Sequence, residues 1–413
     1  SIPKAYRLRI TDERITAITG KENCDIVLMS VLTAAAPRAY ELSGLFRKRG
    51  IPVVLGGVHV SARPCEAAQH ATSVAVGEAD ELIGRIISDF ETASLAPFYQ
   101  ADGFPDLDRI PLPATALLNW RHKVFLSSIQ TSRGCPRSCD FCSVPGMSGR
   151  RLRFKSLAAV ENELKALSRL RQRRLFVVDD NFTLVKERAL AIAELFRRYR
   201  FRWMGFSNLS VSEDESFLRA LSQSGCVSLF VGFESLSGRG RLAKNYKYGR
   251  PDEIRRAVDR IHAHRIGIQG SFIFGFDEDT PEVFDETAAF IQESGIELPH
   301  ISILTPFPGT PLFDDLERDG RLLHEKWGFY DMNHAVFRPR NMTRTELQQG
   351  YAWALKYLAS PSSILSRLKR HPGTSAYFLT ANFSLHRHQT RLALSLWNRK
   401  VQRSLQEKGL CPC

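Results

Sequence analysis

Three of the eight cysteines fall within eight residues: Cys135, Cys139 and Cys142, in the run TSRGCPRSCDFCSV. A compact loop with this spacing can wrap three thiolates around one corner of a cubane iron–sulfur cluster. Electron-carrying clusters of the ferredoxin type use four cysteines, so three leave one iron open to chelate a substrate or cosubstrate. Structural zinc is the duller alternative, but it normally takes four protein ligands in paired spacings, and Cys65 and Cys226 are remote in sequence. Clustered cysteines in a chain without secretory features point to metal or redox chemistry and not to a disulfide framework.

Such a loop needs a scaffold, and the chain supplies two. In the first hundred residues, short β-rich runs alternate with helical patterns, as in a parallel α/β sheet. Asp25 to Leu32 (DIVLMSVL) reads as a buried strand, Pro37 to Lys48 as an amphipathic helix, and Pro52 to Leu55 as the next strand. Gly56-Gly57 follows as a turn at that strand's carboxyl end. A Pro-rich stretch from Gly103 to Pro113 reads as a linker. From Phe125 onward, six β/α units are expected, with strands at Phe125–Ser132, Leu175–Val178, Trp203–Ser207, Ser228–Phe233, Gln269–Phe274 and His300–Thr305. Helices between them show apolar spacings of three and four. The fold class is therefore α/β: a Rossmann-like domain at 1–100, a linker at 101–124, a partial (β/α)6 barrel at 125–321 and a helical, basic region at 322–413. Chemistry is expected at the carboxyl ends of the strands.

Composition agrees with a globular protein. Of 413 residues, 43% are hydrophobic and 24% charged, which excludes disordered, collagen-like and disulfide-scaffold classes. No run approaches the roughly 18 apolar residues that a membrane span needs, and residues 1–14 lack a signal peptide's apolar stretch, so a cytoplasmic location is expected. The net charge is +13, and the segment from Ile364 to Lys408 holds nine Lys or Arg against one acid, Glu407. With Trp353, Tyr357, Phe378, Phe383 and Trp397 interspersed, this region could lie on an anionic lipid surface at the inner face of a membrane, or form a solvated helical face. No RNA-binding motif occurs, and no nucleic-acid partner is expected. Cys411 and Cys413 read as a terminal thiol tail.

The cysteine run, with Phe141 just before its last cysteine, resembles the cluster motif CxxxCxxC of the radical SAM superfamily. The resemblance extends over about Phe125 to Arg321. It implies a [4Fe-4S] cluster whose open iron chelates S-adenosylmethionine (SAM), which is cleaved reductively to a 5′-deoxyadenosyl radical, and a reductant such as flavodoxin or ferredoxin. Asp179, Asp180 and Asn181 (VVDDNF) match the segment that receives the methionine ammonium, although Asp or Asn there would also cap a helix. Glu234 (VGFES) matches the polar residue on the ribose hydroxyls. GSFIFGF, with Gly275, and LTPFPGTPLF, beginning at Leu304, match the segments near adenine.

The N-terminal part resembles the cobalamin-binding domain joined to many radical SAM proteins, through Ser30-Val31-Leu32 and Gly56-Gly57. A glycine pair permits close backbone approach to a large nucleotide tail, and Ser30 could hydrogen-bond its base. The domain's D-x-H-x-x-G element and opening strand do not occur. Either the N-terminus of a working cobalamin domain is incomplete here, or the domain is a remnant. His59, in the turn GGVHV, is expected to be a structural hydrogen-bonder and not a cobalt ligand. The layout resembles hopanoid- and tetrapyrrole-modifying enzymes, which implies a cobalamin-dependent methyltransferase acting at an unactivated carbon of a lipid, isoprenoid or pigment. A cobalamin-independent radical enzyme for rearrangement, cyclisation or dehydrogenation, and a cluster-binding scaffold, are the alternatives. Spacing alone selects no catalytic Tyr or Cys.

Overall fold

The computed structural model describes residues 6–13, 15–113, 127–170, 173–236, 250–370 and 377–383. The expectations for the later part of the linker, for Arg387, Arg391, Trp397, Arg399, Lys400, Arg403, Glu407 and Lys408, and for Cys411 and Cys413 lie outside the described residues. The chain divides into two compact units, one of Ser1–Arg174 with Pro306–Gly320 and His324–Asp331, the other of Leu175–Thr305 with Arg321–Leu323 and Met332–Cys413.

The first unit contains a four-stranded parallel sheet in chain order: β1 Val27–Ser30, β2 Val53–Gly56, β3 Ser73–Val76 and β4 Phe98–Gln100. Crossover helices α1 (Ala36–Arg47), α2 (Val58–Ala62), α3 (Pro64–His70) and α4 (Leu82–Glu91) join the strands. Pro37 in the first turn of α1 presets the helical φ where no intrahelical bond is lost. Val54, Ala75, Leu82, Ile86 and Tyr99 form the core between sheet and helix, each large aliphatic side chain contributing roughly 1.5–3 kcal/mol of burial. One expectation is corrected here. The stretch Asp25–Leu32 is not a buried strand: only Val27–Ser30 is extended, and its residues alternate between half-buried and exposed because β1 is the sheet edge. The unit continues through β5 (Ser127–Ile129), β6 (Ser132–Arg133), α5 (Val144–Ser148), β7 (Arg153–Phe154) and α6 (Leu157–Arg169), which Ser156 caps by accepting from the Ala159 amide.

The second unit is the helix-backed parallel layer that the sequence leads one to expect. Strands β8 (Arg174–Val177), β9 (Arg202–Ser207), β10 (Cys226–Glu234), β11 (Gly267–Phe274) and β12 (Leu298–Ile303) lie side by side in chain order. Helices α7 (Lys186–Arg198), α8 (Glu215–Gln223), α9 (Pro251–Ala263) and α10 (Val283–Ser294) follow β8 to β11 in turn. Alternation along the strands divides their two faces. Leu229, Val231 and Phe233 of β10 are fully buried on the helix side, where Phe233 stacks on Phe272 at 5.0 Å and both meet Phe290 of α10. Phe230, Gly232 and Glu234 point the other way and are only half-buried. A register shift between Gly232 and Glu234 sets Glu234 opposite Phe272 as the last pair of β10 with β11.

After a capping box at Thr343 and Glu346, the helices Arg344–Leu358 and Pro361–Arg370 close this unit. The basic surface expected from Ile364 onward needs a second correction. Arg367 is fully buried, held by the Ser363 hydroxyl and by Asn382 Oδ1 at 3.3 Å, and Phe378 packs into a buried apolar cluster with Leu298, Ile364 and Leu368. Neither can face lipid. Burial drops the pKa of Arg367 to about 10, the cost of desolvating a cation. Among the described residues, no helix is long and apolar enough to cross a membrane.

Candidate functional site

The cysteine loop belongs to the first unit and is pinched at its base, where β6 pairs antiparallel with β7. Gly134 makes the departure from β6 possible: its φ is +88°, and a Cβ there would lie 2.4 Å from the Arg151 carbonyl. The Cys135 amide donates to the Gly149 carbonyl at 3.3 Å, and the Cys142 amide donates to the Cys139 carbonyl at 3.2 Å, so backbone bonds shape the loop around its thiols. The Leu312 amide, from the returning segment of the same unit, donates to the Asp140 carbonyl at 3.0 Å. Cys135, Cys139 and Cys142 are all partly exposed. Cys226 is buried, its thiol pushed far up by desolvation, and Cys65 is exposed on α3, so neither extends the set. Among the described residues, no three His, Cys, Asp or Glu converge on a single metal ion. Three accessible thiols on one short loop fit a cluster with one uncoordinated iron.

The same unit carries the glycine pair. Ser30 ends β1 in register with Gly56 at the end of β2, and both stand at the carboxyl edge of the parallel sheet, the side where such sheets take their ligands. Ser30 is exposed, and a Cβ on Gly56 would meet only Ala75 at ordinary contact, 3.5 Å. Gly57 is different. With φ 101° and ψ −178° it occupies a region open only to glycine, and a Cβ would fall 2.7 Å from the Val31 amide nitrogen. The chain's own packing accounts for Gly57, while Ser30 and Gly56 leave room for a ligand, so this edge fits a cobalamin tail at those two positions. His59 is fully buried. Its Nε2 meets the Tyr40 hydroxyl at 3.1 Å, its ring stands edge-on to Trp327 at 5.2 Å, and desolvation lowers its pKa.

In the second unit the remaining candidates lie at or beyond strand ends. Asp179 and Asn181, just after β8, are buried, and the Thr183 hydroxyl donates to Asn181 Oδ1 at 3.5 Å and lies 2.7 Å from the Ser207 hydroxyl at the end of β9. Asp180 is half-buried. Glu234 closes β10 with φ 57°, bridged by the Ser235 amide donating to the Phe233 carbonyl at 2.7 Å. A non-glycine residue at the centre of such a tight turn is strained, and strain of about 1–3 kcal/mol persists where the surroundings hold it in place. Desolvation pushes the Glu234 carboxyl up to about 7, so near neutral pH it can donate or accept a hydrogen bond.

Gly275, after β11, has φ 106°, and a Cβ would press on Leu347 at 3.0 Å. Its amide and that of Phe276 donate to Asp279 Oδ2 at 2.8 and 3.0 Å, so the turn is built by Asp279, whose carboxyl burial raises to about 6. Leu304 is buried, and its amide donates to the Phe274 carbonyl. A row on the strand face away from the helices leaves no periodic signal in the sequence. There Phe176, Phe206, Phe230 and His300 follow one another across the strands at 5.2, 4.8 and 5.0 Å. Burial lowers the His300 pKa to about 4, so the row is uncharged.

Residues 129–291 match the family model described as the radical SAM superfamily. The chain is 29% identical over 403 residues to the bacteriochlorophyllide d C-12(1)-methyltransferase of Chlorobaculum tepidum, covering 95% of this chain and 88% of the relative. It is 29% identical over 338 residues to the hopanoid C-2 methylase of Rhodopseudomonas palustris, covering 78% and 64% respectively. Among solved structures it resembles the cobalamin-dependent S-adenosylmethionine radical enzyme OxsB, with a TM-score of 0.63 at 15% identity over 94% of this chain and 74% of the other. It also resembles the methyltransferase TsrM from Kitasatospora setae, with a TM-score of 0.58 at 19% identity over 72% and 68%. These two show the fold.

Proposed function

We propose that the chain, whose residues 129–291 match the radical SAM superfamily model, is a cobalamin-dependent methyltransferase acting at an unactivated carbon of a pigment or lipid. The observation that carries this reading is the presence, in one compact unit, of the three-cysteine loop and of a parallel sheet edge open at Ser30 and Gly56. When bound, the cluster and SAM supply hydrogen abstraction, and cobalamin supplies a transferable methyl group.

The chain's own residues have separable tasks. Cys135, Cys139 and Cys142 hold the cluster as thiolates. Phe141 shields that loop, and Asp179, Asp180 and Asn181 supply oxygens for an ammonium. Glu234, its carboxyl pushed up to about 7 by desolvation, is suited to ribose hydroxyls. Gly275 and Leu304 shape the backbone beside a purine. The uncharged aromatic row from Phe176 to His300 suits a large apolar substrate and excludes water from a reactive centre.

The substrate reading favours a pigment over a hopanoid-like lipid, because the alignment covers 88% of the bacteriochlorophyllide enzyme and 64% of the hopanoid enzyme. A flavodoxin or ferredoxin supplies the electron, and the basic residues beyond the last described helix support contact with an anionic membrane. Incubating the anaerobically reconstituted chain, with cobalamin, with a bacteriochlorophyllide and with a hopanoid tests the reading. Methylation of the pigment supports it. Turnover of either compound without cobalamin would favour the cobalamin-independent radical enzyme.

A further inference from the structure

The cysteine loop is anchored by two carboxylates distant from it in sequence. Glu78 follows β3 by two residues and is 3% exposed, yet it is ionically paired on both sides. Arg133, two residues before Cys135, meets Glu78 Oε2 at 2.7 Å and Asp80 Oδ2 at 2.6 Å. Arg153, in β7, grips both Glu78 oxygens and also donates to the Ser148 carbonyl at 3.2 Å, next to the Gly149 whose carbonyl holds the Cys135 amide. Phe104 lies under the Arg153 guanidinium at 4.5 Å, and its ring would lie 2.6 Å from a Cβ on Gly149. Glu78 is itself fixed from the glycine-pair side, since the adjacent Gly77 amide donates to Ser61 Oγ of α2 at 2.9 Å. All these residues belong to the first unit.

A network of this kind is specific in two ways. The buried Glu78 carboxylate is balanced by both guanidiniums, and removing its charge would leave Arg153 without an ionic partner and Arg133 with Asp80 alone. The two arginines stand opposite each other at the ends of the nineteen-residue segment 134–152, and by sharing Glu78 they tie both ends to one carboxylate in addition to the β6–β7 pairing. We propose that Glu78 and Asp80 are positioning residues for the iron–sulfur cluster: through Arg133 and Arg153 they set the shape of the cysteine loop and the charge around it from the carboxyl end of β3. The proposal rests on the cluster reading of Cys135, Cys139 and Cys142. Neutralising Glu78 leaves excess positive charge beside the loop. That favours the reduced cluster, so the midpoint potential moves upward.

The test uses the full chain, reconstituted anaerobically with iron and sulfide, as wild type, E78Q, E78D and D80N. E325Q serves as the control, because it removes an equal charge from the exposed Arg63–Glu325 pair of the same unit. Iron and sulfide content, the EPR spectrum of the reduced cluster, the midpoint potential and the rate of cluster loss to a chelator are measured. E78Q should lose cluster at least threefold faster, with a changed EPR line shape and a higher potential. E78D should recover part of this, and E325Q should match wild type. Should E78Q fail to fold, D80N decides, its carboxylate being more exposed. Wild-type values for E78Q and D80N in all four measurements would overturn the proposal. A wild-type chain that takes up no iron or sulfide would instead refute the cluster reading on which it stands.

Discussion

Replacing each glycine of the pair by alanine separates what the fold needs from what a ligand needs. At Gly57 the backbone angles lie where an L-residue costs about 1–3 kcal/mol in strain. The new Cβ would also stand 2.7 Å from the Val31 nitrogen and 3.0 Å from its oxygen, with no flexible side chain to give way. Overpacking of that kind adds about 1–3 kcal/mol, for a combined destabilisation of roughly 2–6 kcal/mol. Gly57→Ala should therefore lower the melting temperature of the first unit and increase amide exchange at β1 and β2. Gly56 carries neither burden, because its Cβ would sit 3.5 Å from Ala75. Gly56→Ala should leave melting and exchange unchanged. If a cobalamin tail crosses this edge, the added methyl intrudes on it at about 1–3 kcal/mol, which is a five- to 150-fold loss of affinity. Anaerobic titration with cobalamin, followed by absorbance, reads that loss. Wild-type affinity in a folded Gly56→Ala protein would remove Gly56 from the binding edge, and an unshifted melt for Gly57→Ala would refute the packing argument.

Changing Cys135, Cys139 and Cys142 together to Ala should abolish the cluster chromophore and SAM cleavage while leaving far-ultraviolet circular dichroism unchanged, since no core residue is touched; retained iron and sulfide would contradict the assignment. Glu234→Ala should weaken SAM binding without loss of cluster, as read by equilibrium dialysis with labelled SAM. The raised Glu234 pKa also predicts a pH dependence: the unfolded carboxyl releases its proton near its ordinary value and the folded one only near 7, so stability should fall as pH rises from about 4.5 to 7. Glu234→Gln should flatten that part of the profile, and an unaltered slope would assign the effect elsewhere. Binding to anionic vesicles should fall with salt, given a Debye length of about 8 Å at physiological ionic strength, and should vanish on truncation after Phe383. Cutting at Ile364 would instead open the buried cluster that Ile364, Leu368 and Phe378 form with Leu298.

The alternating pattern was legible because helix and strand periods differ, and each strand expected in the second unit is present within a residue or two at most ends. The cysteine loop was legible because its chemistry is local, three thiols and a glycine in one short run. What stayed hidden depends on neighbours distant in sequence. Asp25 to Leu32 reads as a central strand because nothing in its composition says that one edge is unpaired. Arg367 reads as one more surface cation, and only the fold shows it sealed against Asn382. Glu78 and Asp80 lie more than fifty residues from the arginines that hold them, so no spacing rule joins them to the cysteines. His300 reads as an ordinary strand residue until the phenylalanines of three other strands line up beside it. Gly57 illustrates a subtler gap, since a family resemblance marks the pair as ligand-facing while the backbone angles show that one member serves the chain itself.

The central claim, that this chain transfers a methyl group with cobalamin as its carrier, is tested most directly by following isotope from SAM bearing a trideuterated methyl group. The reconstituted protein would be incubated anaerobically with a reductant and a bacteriochlorophyllide, with and without cobalamin, and the products read by mass spectrometry. The account requires a pigment heavier by one trideuterated methyl group, formed only when cobalamin is present and lost in the triple cysteine variant. An altered pigment that carries no deuterium, formed equally well without cobalamin, would contradict it.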